Sequence, residues 1–156
     1  MNRRMIFLAV ALGAAGIFTA SGVFSKAPEQ GTRRAINLAD DNPQAPFSGA
    51  VLTGNTMYLS GRIGYDPKVG KPPADVDEEI KMVLDRVKAT LGQAGMTMDD
   101  LVYVQIACTD LSLYDKFNAA YKTYFTAKDL PAREFIGAGS LLRGGHFEIQ
   151  AIAVKR

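Results

Sequence analysis

Apolar residues change their spacing several times along this chain, and each change marks an element. Arg34 to Leu38 alternates, which predicts a short first strand. Asp, Asn and Pro crowd Asp40 to Gly49, a loop composition. Ala50-Val51-Leu52-Thr53 and Met57-Tyr58-Leu59-Ser60 flank Gly54-Asn55, which reads as a hairpin. Gly61 to Pro73 then reads as loop. From Val76 the spacing becomes three and four: Val76, Ile80, Val83, Leu84, Val87, Leu91 and Ala94 share one helical face. Asp75 or Asp77 caps this helix, Glu78 and Glu79 sit in its first turn where the macrodipole favours acids, and Gly95 suits its C-terminal cap. Val102, Val104, Ile106 and Cys108 alternate again, predicting a strand whose inward face includes the thiol. A second helix opens at Ser112-Leu113-Tyr114-Asp115 and turns Leu113, Phe117, Ala120, Tyr121, Tyr124 and Phe125 to one side, and Pro131 bars its continuation. Two strands close the chain, one opening at Leu130-Pro131-Ala132-Arg133 and one over His146 to Val154, joined through Leu141 to Gly145.

The order β-β-β-α-β-α-β-β does not alternate strictly, so the fold class is α+β: a mixed sheet with two helices covering one face. The other face then needs a cover, and association of several copies through the sheet is the expected solution.

The N-terminus differs from the rest. Asn2-Arg3-Arg4 is a short basic region, Met5 to Phe18 is uncharged and mostly apolar, and Ala20, Ser21 and Gly22 are small. This is the pattern of a secretory signal peptide, with Ala20 and Gly22 at the −3 and −1 positions of one cleavage site. An uncleaved anchor competes with it, because residues 5–24 are about the 20 needed to span a bilayer. Residues 1–26 are therefore read as signal peptide or membrane anchor plus linker, and residues 27–156 as the folded domain. The expected location is outside the cytoplasm, in a periplasm. No cysteine lies near the end of the apolar stretch, which excludes a lipoprotein anchor.

Composition narrows the chemistry. The chain of 156 residues is 47% hydrophobic and 22% charged, which is globular. Its net charge of +2 is accounted for by Arg3 and Arg4, leaving a neutral body with no basic run, so a nucleic-acid surface is not expected. Cys108 is the single cysteine and His146 the single histidine, which excludes an intrachain disulfide, a thiolate cluster and a His-rich metal site. No metal-ligand spacing, P-loop or dinucleotide fingerprint is present, and no metal or cofactor is expected.

Two residues carry candidate chemistry. Arg133 stands at the mouth of an apolar strand, as either a surface charge or a bidentate clamp for a carboxylate. Glu148 lies inside the last strand, where alternation puts it with His146 and Gln150 opposite Phe147, Ile149 and Ala151. It either faces solvent or sits at a subunit interface, where burial would suit it to handle a water proton. His146 reads as a polar rim residue. The two closing strands are expected side by side, bringing Arg133 and Glu148 together. Ser60-Gly61-Arg62-Ile63-Gly64 offers backbone N–H groups to an anion, and Asn118 reads as a buried hydrogen-bonding residue.

Several stretches together resemble the Rid (YjgF) family, the reactive-intermediate imine deaminases. They are Ser60-Gly61-Arg62-Ile63 with Asp66-Pro67-Lys68, Asp110-Leu111 followed by Phe117-Asn118-Ala119-Ala120-Tyr121, Leu130-Pro131-Ala132-Arg133, and Glu148 to Arg156. The resemblance covers about residues 33 to 156. It implies a chorismate-mutase-like α+β fold, a homotrimer with ligand clefts between subunits, and cofactor-free hydrolysis of 2-imino acids to 2-keto acids and ammonia. It further implies that Arg133 binds the substrate carboxylate and that Glu148 activates water, and on chemical grounds backbone groups near Gly61 and Phe135 are expected to steer the nitrogen. Three positions depart from the family pattern. Phe47 stands for a tyrosine, Phe135 for a cysteine and Arg62 for a glutamine, so the cleft is greasier and Arg62 is expected to accept a second anionic group. A non-catalytic trimeric module binding a small carboxylate, an imino or keto acid, is the alternative. A ribonuclease activity has also been attached to the family, and the neutral body speaks against it.

Overall fold

The computed structural model describes residues 32–156. The signal or anchor reading and the boundary at residue 26 lie outside the described residues. Among those described, no helix is long and apolar enough to cross a membrane.

Six strands form one sheet: β1 (Arg34–Ile36), β2 (Ala50–Thr53), β3 (Thr56–Ile63), β4 (Leu101–Cys108), β5 (Ala132–Gly137) and β6 (Phe147–Val154). Their order across the sheet is β1-β2-β3-β6-β4-β5, antiparallel except where β4 and β5 run parallel. Two helices, α1 (Val76–Gly92) and α2 (Tyr114–Lys122), complete the α+β class expected from the pattern. Parallel β4 and β5 are joined through α2, the crossover that parallel neighbours require. The last strand enters between β3 and β4, so the closing strands are not neighbours as expected, and β4 separates them.

Both helices lie on one face. Val83, Leu84, Val87 and Leu91 of α1 are buried with Met57 and Leu59 of β3, Val104 and Ile106 of β4, and Ile149 and Ala151 of β6. Phe117 of α2 packs on Phe147 at 4.9 Å and Phe135 at 5.6 Å between ring centroids. Fully burying such a ring contributes about 2 kcal/mol. Asp75 caps α1, its side chain accepting from the amide of Asp77. The cap before α2 is Asp110 rather than Ser112: its carboxylate accepts the Ser112 amide at 2.9 Å and opens a short 3-10 turn. Helix α2 ends at Lys122, well before Pro131, because Asp99 accepts the amides of Thr126 and Ala127 and draws the chain away.

The strand β3 runs past its expected end at Ser60. Leu59 pairs with Ala151 and Arg62 with Ile149, so Ser60 and Gly61 together oppose Gln150. This β-bulge re-aims the strand end, and the candidate carboxylate lies beside it.

Candidate active site

On β6, Phe147, Ile149 and Ala151 are buried against the helices, and Glu148 is half-buried on the opposite face, as alternation predicts. The bulge brings Gly61 against Glu148, and a Cβ at Gly61 would collide with Oε1 of that carboxylate. Among the described residues the Glu148 side chain makes no hydrogen bond or ion pair. It lines a cavity of about 280 Å³ together with Gly61, Arg62 and Phe47. Phe47 is 64% exposed, so its ring forms a wall rather than part of the core.

Arg62 also lines this cavity, but its charge is already used. Its guanidinium donates to both carboxylate oxygens of Asp41 at 2.6 and 3.1 Å and is only 6% exposed. Asp41 also accepts from Arg86 at 3.1 Å, and Asp40 accepts from Arg86 at 2.5 Å. Burial raises the Asp41 carboxyl, but the hydrogen bonds from Arg62 and the Leu38 amide and the charges of Arg62 and Arg86 outweigh it and hold it below its ordinary value. The expected second anion site at Arg62 is thus occupied by the protein's own carboxylate, which staples the loop carrying Phe47 to β3 and α1.

Arg133 lies elsewhere. It pairs in register with Val104, and Glu148 pairs with Ala107. An offset of three residues along β4 puts the two side chains on opposite faces of the sheet. They are also two strands apart, which by sheet geometry is about 10 Å across and about 10 Å along. Arg133 faces α2, where its guanidinium carbon lies 4.9 Å from the Tyr121 ring centre, 5.6 Å from Tyr114 and 5.8 Å from Phe135. It lines a second cavity of about 220 Å³ with Asn118 and Tyr121. One protomer therefore groups Glu148, Gly61, Phe47 and Arg62 at one place and Arg133, Asn118 and Phe135 at another.

Sequence reasoning assigned Tyr121 only to an apolar face. Its hydroxyl is buried without a partner among the described residues, and burial, countered in part by Arg133, pushes it up to about 12, so it stays protonated. The signal was available: a tyrosine three residues after Asn118 on α2 shares its face.

His146 is turned differently from expectation. Strand β6 starts one residue later, and the imidazole Nδ1 lies 2.7 Å from Oε2 of Glu79 on the helix side rather than beside Glu148. Glu79 is fully buried and accepts the amides of His146 and Phe147 at 2.6 and 3.1 Å, fixing the start of β6. Cys108 points inward as predicted; burial pushes its thiol up, and its Sγ donates to the Asp110 carbonyl. No group of three or more His, Cys, Asp or Glu side chains able to hold a metal occurs among the described residues.

The sequence matches the family model described as endoribonuclease L-PSP over residues 15–155. It is 36% identical over 124 residues to the 2-iminobutanoate/2-iminopropanoate deaminase of Escherichia coli K12, covering 76% of this chain and 97% of that protein. Among solved structures, the YjgF gene product of E. coli superposes with a TM-score of 0.70 at 35% identity, covering 79% of this chain and 99% of that one. E. coli TdcF with bound serine gives 0.71 at 30% identity, covering 79% and 99%.

Proposed function

The chain belongs to the endoribonuclease L-PSP family, the Rid (YjgF) proteins, and from that premise we propose that it is a 2-imino acid deaminase, assembled so that two copies build each site. The observation that carries the reading is Glu148: an unpartnered carboxylate held against Gly61 at the bulge, lining a cavity of about 280 Å³.

A carboxylate that makes no bond to any described residue of its own protomer is free to hold a water and take its proton. The reaction is R–C(=NH)–COO⁻ + H₂O → R–C(=O)–COO⁻ + NH₃. Glu148 takes one proton as the water oxygen attacks the imine carbon, and the C=N electron pair moves to nitrogen, which is protonated from solvent. Glu148 then returns its proton to that nitrogen as the C–N bond breaks, and the hydroxyl proton is lost to give the keto acid. No redox step arises and no cofactor is called for. Arg133 supplies two parallel hydrogen bonds to the substrate carboxylate. Because Arg133 and Glu148 occupy opposite faces of one sheet, the Arg133 that meets a given Glu148 belongs to another copy. A closed ring of identical contacts, such as the trimer expected from the resemblance, satisfies this. The basic and apolar N-terminal pattern supports export, so the imine is met outside the cytoplasm.

The solved relative with bound serine favours a second reading, a module that holds a small amino or keto acid without turning it over. One assay separates the two. An amino-acid oxidase generates imino acids in situ, and semicarbazide traps what remains. The full-length protein should suppress the semicarbazone, and Arg133→Ala should lower kcat/KM by about a hundredfold or more. No acceleration across several side chains, or full activity in Arg133→Ala, would overturn the deaminase reading.

A further inference from the structure

The Glu148 cavity is lined by three arginines, Arg62, Arg86 and Arg143. Asp40 and Asp41 neutralise the first two. Arg143 is different. Its Nη1 donates to the Gly70 carbonyl at 3.1 Å, its guanidinium carbon lies 4.6 Å from the Tyr65 ring centre, and among the described residues it meets no carboxylate. Its backbone is unusual as well. Arg143 has φ 60° and ψ 11°, the only non-glycine residue at positive φ among those described, and Gly144 follows at φ 74°. A side chain in the left-handed region costs about 1 kcal/mol that glycine would not. The turn carries an arginine where its own geometry favours glycine, and the exposed side chain is held by a ring and a carbonyl, with no carboxylate opposite it among the described residues.

We infer that Arg143 is a second anion-binding position in the Glu148 cavity, and that the imines this site is built for are 2-imino dicarboxylic acids. The inference rests on the deaminase reading of the same site. The charge count leads there. Of the carboxylates lining the cavity, Asp41 is consumed by arginines and Glu148 is needed for water. The substrate's 1-carboxylate goes to Arg133 of another copy. A neutral side chain would leave Arg143 unmatched, whereas a terminal carboxylate would receive a charge-assisted hydrogen bond from a guanidinium already positioned on Tyr65. The second-anion role expected at Arg62 falls to Arg143. The reaction supplying such a substrate is the two-electron oxidation of an acidic amino acid.

The test uses substrates of matched length. An oxidase acting on glutamate gives 2-iminopentanedioate, and one acting on norvaline gives 2-iminopentanoate. Wild type should show the higher kcat/KM on the diacid. In Arg143→Gln the diacid-to-monoacid ratio should fall about tenfold or more, and Arg143→Lys should recover part of it. A pin between turns alone would lower both substrates together, so an unchanged ratio overturns the inference. Thermal stabilisation by 2-oxopentanedioate against 2-oxopentanoate is the parallel arm. If neither imine is hydrolysed, the deaminase reading fails and this arm decides. A larger shift with the diacid, lost in Arg143→Gln, supports the subsite, and equal or absent shifts overturn it.

Discussion

The two cavities hold opposite charges by opposite means. Around Glu148 the protein withholds partners: Gly61 lacks a side chain, the bulge turns β3 aside, the neighbouring arginines Arg62 and Arg86 are committed to Asp40 and Asp41, and Arg143 is held on Tyr65 and the Gly70 carbonyl. Around Arg133 it supplies them: Tyr114, Tyr121 and Phe135 surround the guanidinium within 6 Å. The difference fits the roles proposed for the two groups. A carboxylate that gains and loses a proton is useless once locked in an ion pair, whereas a guanidinium never titrates and gains only from being held still. Backbone places the proposed base, and aromatic rings place the proposed clamp.

The sharpest way to break this comparison is to separate the two halves. Arg133→Ala and Glu148→Gln proteins should each be inactive. Unfolded together and refolded as a mixture, they should recover activity, because a cleft taking its arginine from one variant and its glutamate from the other is intact. Random association at equal concentrations leaves about a quarter of clefts intact. A mixture as inactive as its components would show that each cleft draws both residues from one chain, and the two-copy site would fall.

A smaller effect is expected at Gly61. Its replacement by alanine puts a Cβ onto Oε1 of Glu148, and the carboxylate must move. A misplacement of about 1 Å is enough to cost about a hundredfold in kcat/KM. The control is Gly64, where a Cβ would meet the Glu79 backbone carbonyl at 2.5 Å and the Val83 amide at 3.1 Å. Gly64→Ala should therefore lower stability in urea unfolding, and Gly61→Ala should lower turnover at nearly unchanged stability. Equal losses of stability in the two variants would mean that Gly61 serves packing rather than the base.

Local spacing made part of this legible. The faces of α1 and β6, the inward Cys108 and the exposure of Glu148 away from the core all follow from periods of 3.6 and 2, which each residue shares with near neighbours. Strand order does not, because the entry of β6 between β3 and β4 is decided by pairings far apart in sequence. That single fact moves Arg133 and Glu148 from adjacent strands to separate cavities. Alternation also fails one residue beyond a strand end, which is why His146 turns to Glu79. The pairing of Arg62 is hidden for a related reason: its partner Asp41 is 21 residues earlier, in a loop with no period to read. Arg143 gave no signal at all, since a left-handed backbone is invisible in a stretch that reads as an ordinary glycine turn.

The smallest effect belongs to Asp41, and its sign against pH is fixed. Its carboxyl is held below its ordinary 3.8 in the folded protein. Such a group contributes stability that is fully present above the unfolded value and is lost as pH falls through the folded one. Asp41→Asn removes the acceptor of a buried guanidinium and should cost about 2 kcal/mol at neutral pH, read as a lower urea midpoint. The gap between wild type and variant should stay constant from pH 7 to about 5 and close below about pH 4, because only wild type then protonates the site. The difference isolates Asp41 from the other carboxyls held low, such as Asp99 and Asp110, which both proteins share. A gap that persists unchanged into strong acid would mean that the loop is held by its uncharged contacts, such as the Gly49 amide donating to the Asn37 side-chain Oδ1 at 2.7 Å. The wall that Phe47 presents to Glu148 would then owe nothing to the buried charges beneath it.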